Sequence, residues 1–317
     1  MKTIIQKIAL FIFPIFILAI IMEFLLHNIP NDYSYKKHYL DTHSSKVETL
    51  ILGSSHAFTG INPELFSSNT FNAGKELQTL DIDSKIFHRY KTKFRNLRTI
   101  VLTISYPSLW GSIERIQLRS PDIAKKFHHY YEFELPNKHI ADYFLVTSFN
   151  SRKNLKKIFS YYLKNNKNTI KCTSLGWMPK LTKKGTNNQD LTLSGKTQTK
   201  WHNIPNLHAE GNQKCFQKNK LIIEDILIWA KAHHVNIILI TLPAHQSYRE
   251  HTNPEQFEIT VQTANDFASE YENCMYLNFF SDQHFNTEDF FDAGHLNPKG
   301  AEKLSRILNN VIESNQP

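Results

Sequence analysis

The chain is predicted to be an α/β protein with a parallel sheet covered by helices on both faces. Short apolar segments rich in β-branched residues recur along its 317 residues. Amphipathic segments with the spacing of a helix lie between them. This alternation is typical of parallel strands joined by helices, because both faces of such a sheet are buried. The length and the 41% hydrophobic content allow a substantial core and argue against disorder.

Each predicted element follows from its local composition. Apolar runs mark the predicted strands, which cover residues 48–52, 70–72, 98–104, 235–242 and 274–278. Apolar positions at helical spacing predict helices over residues 80–93, 218–233 and 301–311. Asn297 is the expected N-cap of the last helix, and Pro298 its first residue. Residues 28–45 are predicted to form a polar stalk ahead of the first strand.

The N-terminal segment has the properties of a membrane anchor. Lys2 and Lys7 precede an apolar run over residues 8–26 that only Glu23 interrupts. At about 1.5 Å per residue the run spans roughly 28 Å, close to the ~30 Å hydrocarbon core of a bilayer. We therefore expect an uncleaved anchor over residues 1–27 and a domain over residues 28–317 outside the cytoplasm, since the lysines favour the cytoplasmic side. A cleaved signal peptide is the alternative, although no small-x-small cleavage site follows the run.

Two short motifs that lie far apart in the chain carry the functional prediction. The first predicted strand runs into Gly53-Ser54-Ser55, and Asp292 stands three residues before His295, just ahead of the last helix. A serine nucleophile needs a base to accept its proton, and the base needs a partner that fixes its tautomer. These segments supply all three groups. If the fold joins them, the chain is a serine acyl hydrolase or acyltransferase.

The order and position of these motifs resemble the SGNH (GDSL-like) hydrolase superfamily. The pattern is most similar to its membrane-anchored branch, which includes polysaccharide O-acetylation and teichoic-acid D-alanylation proteins. The resemblance covers roughly residues 45–110 and 216–315 and implies a three-layer α/β/α, flavodoxin-like fold. It also implies that Ser55 is the nucleophile, His295 the general base and Asp292 the residue that orients the base. Gly74, in Phe71-Asn72-Ala73-Gly74, matches an oxyanion-hole glycine whose N–H acts together with that of Ser55.

The sequence departs from the family pattern at two places. Ser54 stands where family members usually have aspartate before the nucleophile. The family's third block places an Asn side chain in the oxyanion hole, whereas this chain has Ser105 and Tyr106 after the third strand. Either residue is a candidate replacement. Loss of one side-chain donor from an oxyanion hole lowers the rate by about 10²-fold.

The middle of the chain is predicted to be a cap-like insertion over residues 111–215. It carries 18 Lys/Arg and 7 Asp/Glu, a net charge of +11. Trp177 and Trp201 are candidate platforms for a sugar, and the lysines suit an anionic polymer or lipid surface. A solvated basic surface with ordinary core tryptophans is the alternative.

Three further residues near the predicted site are candidate substrate contacts. His56 follows the nucleophile, while Tyr248 and Arg249 lie in the loop after the fourth strand. Packing roles for all three residues stay open.

The sequence predicts neither a metal nor a cofactor. Sixteen histidines are present without a His-Glu-x-x-His motif, and the adjacent His pairs are poorly placed to chelate one ion. The chain has three cysteines, Cys172, Cys215 and Cys274. Outside the cytoplasm, Cys172 and Cys215 are the candidate disulfide pair, and the equal alternative is that the cysteines are buried free thiols. Nucleic acid is not an expected partner of an extracytoplasmic domain.

The predicted function is that of a membrane-anchored, extracytoplasmic serine esterase or O-acyltransferase. Its expected substrates are ester-linked groups, most simply acetyl groups, on envelope glycans. A multipass membrane acyltransferase is a candidate partner. The alternative is a non-catalytic, membrane-tethered protein that binds or assembles glycans on the same fold.

Overall fold

The computed structural model describes residues 2–137, 139–147, 151–179 and 188–315. It divides into two compact units. The helical unit comprises Met1–His38 and Glu114–Lys171, and the sheet unit comprises Tyr39–Ile113 and Cys172–Pro317. Residues 180–187, within the predicted insertion, lie outside the described residues.

The described elements alternate along the chain as predicted. The strands are β1 (Thr49–Leu52), β2 (Thr70–Asn72), β3 (Thr99–Thr103), β4 (Asn236–Thr241), β5 (Cys274–Asn278), β6 (Phe290–Asp292) and β7 (His295–Leu296). The α-helices are α1 (Lys2–His27), α2 (Asp32–His43), α3 (Ser55–Gly60), α4 (Leu80–Tyr90), α5 (Ile113–Arg119), α6 (Pro121–Tyr131), α7 (Ser151–Ile158), α8 (Asn188–His202), α9 (Glu210–Ala232), α10 (Gln246–Arg249), α11 (Pro254–Glu270) and α12 (Pro298–Ser314).

The sheet unit contains five parallel strands in the order β2-β1-β3-β4-β5. This is the strand order of flavodoxin-like, doubly wound folds. The predicted α/β fold class is therefore confirmed. In such sheets, ligands bind beyond the carboxyl ends of the strands, near the point where the strand order reverses. Here that point lies at the ends of β1 and β3.

Both faces of the sheet are buried, which explains why its strands are apolar throughout. Ile51 and Val101 belong to a cluster that includes Leu304 of α12 on one face. Leu50 and Ile100 stand one residue earlier and are fully buried. Because successive side chains of a strand point to opposite faces, they pack on the other side.

Helix α12 begins as predicted. The Asn297 side chain accepts hydrogen bonds from the backbone N–H groups of Lys299 and Gly300, and Pro298 is the first helical residue. This cap fixes the start of α12 immediately after His295, so the predicted base stands at a rigid junction.

The helical unit contains α1, the one described helix that is long and apolar enough to cross a membrane. An 18-residue window within Gln6–His27 has a mean hydropathy of 2.8, and none of that window is buried within the protein. Near its end, the Glu23 carboxylate accepts hydrogen bonds from the backbone N–H groups of Leu145 and Val146. The predicted stalk over residues 28–45 is largely helical, because α2 occupies Asp32–His43.

Two expectations about the middle region are corrected. Residues 111–215 do not form one cap, because residues 114–171 belong to the helical unit and residues 172–215 to the sheet unit. The hydrogen bonds from Leu145 and Val146 to Glu23 connect residues 114–171 to α1. Cys172, Cys215 and Cys274 are thiols, so the candidate disulfide between Cys172 and Cys215 is not formed. The Cys215 thiol instead contacts the Gly111 carbonyl at 3.6 Å.

Candidate active site

Ser55 is presented by a tight turn at the carboxyl end of β1. Gly53 has φ +133°, and a Cβ at this position would overlap the Thr103 hydroxyl of the neighbouring strand. Only glycine fits both constraints. The Gly53 N–H donates to the buried Asp83 carboxylate at 2.9 Å, and this hydrogen bond stabilises the turn. Ser55 then opens α3, with its side chain at the edge of the sheet where ligands bind in this fold.

The structure brings Ser55, His295 and Asp292 together, as the sequence predicted. Ser55 Oγ lies 2.8 Å from His295 Nε2, and His295 Nδ1 lies 2.7 Å from Asp292 Oδ1. The His295 and Asp292 side chains are 12% and 22% exposed, so the pair is accessible but shielded on most sides. These distances allow proton transfer from the hydroxyl to the imidazole while the carboxylate fixes the imidazole tautomer.

The short β6–β7 pair sets the geometry of the base. Asp292 and His295 face each other across its turn. Asp292 Oδ1 also accepts a hydrogen bond from Gly294 N–H at 3.1 Å, so the carboxylate is held from two sides. Ala293 N–H donates to the Ser194 hydroxyl of α8 at 3.2 Å. Helix α8, from the later part of the predicted insertion, therefore packs against the loop that carries the base.

His56 lies directly beside the base. Its ring stacks on that of His295 with the centroids 5.0 Å apart and the planes 16° from parallel. His56 Nδ1 lies 3.0 Å from Ser105 Oγ and 3.2 Å from Ser54 Oγ. The predicted position of His56 at the border of the site is thus observed. The contact with His56 also brings Ser105, which follows β3, into the site.

The expectation for the Gly74 N–H is corrected. This group donates to the buried Asn72 side chain at 2.9 Å, because that side chain oxygen needs a donor within the fold. Asn72 also donates to the carbonyls of Ala57 and Ile61, so it is a structural anchor. The Gly74 N–H therefore already has an acceptor within the fold. The N–H of Ser55, in the first turn of α3, has no acceptor among the described residues.

Of the two candidate replacements for the missing Asn, the structure favours Ser105. The Tyr106 hydroxyl donates to Asn203 Oδ1 at 2.8 Å and accepts from Asn253 N–H at 2.7 Å. Burial raises the pKa of Tyr106 to about 12. Tyr106 therefore joins α8 to α11 and is committed to packing, whereas Ser105 contacts His56 within the site.

Two of the predicted substrate contacts are core residues. Trp177 is only 8% exposed, and its indole N–H donates to the Thr59 carbonyl at 2.8 Å. Tyr248 is buried, and its hydroxyl lies 2.7 Å from His202 Nδ1. Burial raises its pKa well above the usual value. Neither ring offers a face to a substrate, because both side chains are packed in the core. Both expectations are therefore wrong.

The two other candidates differ in accessibility. Arg249 donates to the Ala244 carbonyl at 2.8 Å and serves loop packing. Trp201 is 65% exposed, near the end of α8. It follows Ser194 by seven residues and so shares one stripe of the helix with the side chain that contacts the base loop. A role for Trp201 in substrate binding stays a prediction.

Asp83 is a residue near the site that the sequence did not single out. Its side chain is buried and accepts from Gln78 at 2.6 Å as well as from Gly53. Burial, with a smaller contribution from the charge of Asp81, raises the pKa of Asp83 to about 7. A carboxyl within an amphipathic helix gives no sequence signal that distinguishes it from a solvent-exposed one.

No group of three or more His, Cys, Asp or Glu side chains in the described part of the chain is arranged to hold a metal ion.

Comparison with known proteins gives structural likenesses only. No family model matches the sequence, and no curated protein matches it. A proposed platelet activating factor from Streptococcus pneumonia is 13% identical with a TM-score of 0.43, over 96% of this chain and 99% of that one. A proposed acylhydrolase from Bacteroides fragilis is 12% identical with a TM-score of 0.42, over 88% and 95%. A GDSL-like lipase from Bacteroides thetaiotaomicron is 10% identical with a TM-score of 0.39, over 90% and 100%.

Proposed function

We propose that the chain is a serine acyl esterase or O-acyltransferase. The observation that carries the proposal is the hydrogen-bonded series Ser55–His295–Asp292 at the carboxyl end of β1. Residues that are 240 positions apart in sequence meet here at hydrogen-bond distance, in the order nucleophile, base and orienting carboxylate. A packing role does not require that order.

The proposed reaction proceeds in two steps. Ser55 Oγ attacks the ester carbonyl carbon while His295 Nε2 accepts the hydroxyl proton. The tetrahedral intermediate collapses, the acyl–oxygen bond breaks, and His295 returns the proton to the departing alcohol. Water or an acceptor hydroxyl then attacks the acyl-serine, again with His295 as base, and Ser55 is regenerated. Asp292 stays ionised and stabilises the imidazolium in both steps.

The oxyanion hole in this proposal uses the Ser55 N–H and the Ser105 hydroxyl. Ser105 stands at the end of β3, where the resembled family places its Asn donor. His56 Nδ1 lies 3.0 Å from the Ser105 hydroxyl and is positioned to orient it. A hole with fewer fixed donors than a full set is expected to give a slower enzyme, by about 10²-fold per donor.

The location and substrate class form the finer part of the proposal. Helix α1 anchors the chain in a membrane with the remaining residues outside the cytoplasm, and the substrate is an ester-linked acetyl group of an envelope glycan. Support comes from the apolar length of α1 and from the exposed ring of Trp201 on the helix that contacts the base loop. An acceptor delivered at the membrane would favour transfer over hydrolysis, with a multipass acyltransferase as the proposed partner.

One observation favours a second candidate function. The Gly74 N–H is occupied by Asn72, and the third-block Asn is absent, so the oxyanion hole is poorer than the resembled family implies. A non-catalytic protein that binds or assembles glycans at a membrane would tolerate this loss. It would not require the Ser55–His295 hydrogen bond.

An acetyl-release assay separates these functions. The full chain in detergent or nanodiscs is supplied with p-nitrophenyl acetate, with and without added envelope glycan. We expect weak basal release that Ser55→Ala and His295→Ala abolish, and release that rises when glycan is added. Ser54→Ala is the matched control, since Ser54 Oγ contacts His56 and not the base. Full activity in Ser55→Ala would exclude the enzyme, whereas glycan binding without turnover would favour the second function.

A further inference from the structure

Part of the helical unit is fastened to the last turn of α1. The Glu23 carboxylate binds the N–H groups of Leu145 and Val146 at 2.9 and 2.8 Å. The Tyr162 hydroxyl donates to the Leu25 carbonyl at 3.1 Å. Glu23 and Leu25 precede the helix end by only a few residues, which corresponds to roughly 3–6 Å along the axis. If α1 crosses a bilayer, these contacts hold the segment at the boundary between hydrocarbon and water.

This segment exposes an apolar patch. Helix α7 continues into a π-helical turn, Phe159–Leu163. Leu155 on α7 and Phe159 and Tyr162 in the π-helical turn are large side chains that are all exposed. Leu163 beside them is 72% exposed. Four large exposed side chains within nine consecutive residues form an accessible apolar patch of the kind that contacts a membrane or a partner.

The charge around this patch indicates what it contacts. Between residues 151 and 171 there are seven Lys/Arg and no Asp/Glu. Arg152, Lys153 and Lys156 are exposed on α7 itself. A short helix with an apolar face, flanking cations and aromatic residues has the composition of segments that lie in the plane of an anionic bilayer surface.

A groove beside the helix end is also suited to lipid. It has a volume of about 640 Å³ and lies between α1 and residues 144–147. Its walls include Phe16, Ile20 and Phe24 of α1 together with Phe144 and Val146. The groove runs along the apolar surface of α1, so a membrane-spanning α1 would bring lipid acyl chains to it.

We propose that Leu155, Phe159, Tyr162 and Leu163, which we call the interfacial face, insert into the headgroup region of an anionic bilayer beside α1. The flanking Arg152, Lys153 and Lys156 bind lipid phosphates. The chain is thus held by two elements, a spanning helix and an interfacial helix, which fixes the orientation of the helical unit at the membrane. The inference rests on α1 spanning the membrane and does not depend on the activity of Ser55.

Lipid photocrosslinking tests this proposal in the full-length chain. Benzoylphenylalanine is introduced singly at Phe159, Leu163, Ile17 and Leu221, and each protein is reconstituted in nanodiscs of phosphatidylcholine with or without phosphatidylglycerol. Ile17 of α1 reports the spanning helix. Leu221, 64% exposed on α9, is the matched control for Leu163. Covalent lipid adducts are counted by mass spectrometry.

We expect adducts at Phe159 and Leu163 at least fivefold above Leu221, enriched in phosphatidylglycerol relative to its share of the bilayer. Combined Arg152→Gln, Lys153→Gln and Lys156→Gln changes should abolish that enrichment and leave the Ile17 adducts unchanged. Adducts at Ile17 with only the Leu221 level at Phe159 and Leu163 would overturn the proposal while leaving the anchor intact. Crosslinks from these positions to another protein in native membranes, without lipid adducts, would also overturn it. Adducts without phosphatidylglycerol enrichment would refute the anionic specificity.

Discussion

Replacement of Asp292 gives a sharp test of how the base is held. Asp292 Oδ1 accepts from His295 Nδ1–H and also from the N–H of Gly294. In Asp292→Asn, the Gly294 N–H repels the amide NH₂ and selects the orientation in which the side-chain oxygen faces His295. The imidazole tautomer is then retained, and the main loss is that of the negative charge.

The magnitude follows from this geometry. A hydrogen bond to a charged group is stronger than a neutral one, and loss of the charge during imidazolium formation should cost about 2–3 kcal/mol, roughly 30- to 150-fold in kcat/KM. In serine enzymes whose Asn selects the wrong tautomer, the same change lowers kcat about 10⁴-fold. Asp292→Ala removes both the acceptor and the orientation, so we expect a loss of about 10³–10⁴-fold.

The assay is kcat/KM for acetyl release, measured for the parent chain, Asp292→Asn and Asp292→Ala at one pH. Circular dichroism and thermal unfolding of each variant serve as controls for folding. We expect activity to fall in the order parent, Asp292→Asn, Asp292→Ala, with a gap of at least about sixfold between the two variants. Equal losses of about 10⁴-fold would refute the orienting role of the Gly294 N–H, and full activity in either variant would refute the proton relay.

Three other predictions concern the surroundings of the site. Gly53→Ala should abolish activity and lower Tm, because residue 53 has φ +133° and the added Cβ would overlap the Thr103 hydroxyl. The double variant Gly53→Ala, Thr103→Ala should recover part of the lost Tm. An unchanged Tm in Gly53→Ala alone would contradict the clash. The pKa of Asp83 rises from 3.8 to about 7 on folding, because burial disfavours the charged carboxylate. The free energy of unfolding should therefore fall by up to about 4 kcal/mol as the pH rises through this range. Asp83→Asn keeps a side-chain acceptor for Gly53 N–H, and urea unfolding at pH 4.5 and 8 should show a weaker pH dependence; an identical dependence would contradict the buried charge. Trp201→Ala should reduce glycan stimulation and spare basal acetyl release, whereas Trp177→Ala should lower Tm; the reverse pattern would contradict the burial assignment.

The sheet was predictable because each strand is buried on both faces and therefore reads as a short apolar run. Its strands begin and end within one residue of the predicted limits. The start of α12 was predictable from Asn297 and Pro298 for a local reason, the capping of free N–H groups. Helix α11 was missed, although Asn253 and Pro254 carry the same signature and the Asn253 side chain caps Gln256 N–H. Its Ile-, Thr- and Val-containing centre weakened the helical pattern.

The catalytic candidates were predictable because their chemistry requires particular residue types at particular spacings. The environment of the other side chains was not. Trp177 is buried, and its indole N–H donates to the carbonyl of Thr59, 118 residues away in sequence. The Gly74 N–H is occupied by Asn72, whose own donors serve the end of α3. Such contacts depend on how distant segments pack, and composition alone does not distinguish a buried tryptophan from an exposed one.

Covalent labelling of Ser55 is the most direct test of the proposed chemistry. A fluorophosphonate reacts only with an activated serine, by attack of the hydroxyl oxygen on phosphorus and departure of fluoride. The full chain is treated with the probe, digested and examined by peptide mass spectrometry, with Ser54→Ala, Ser55→Ala and His295→Ala alongside. We predict one adduct on Ser55 that persists in Ser54→Ala, disappears in Ser55→Ala and forms at least 100-fold more slowly in His295→Ala, since the base provides the activation. No adduct on Ser55, or an undiminished rate in His295→Ala, would contradict the account.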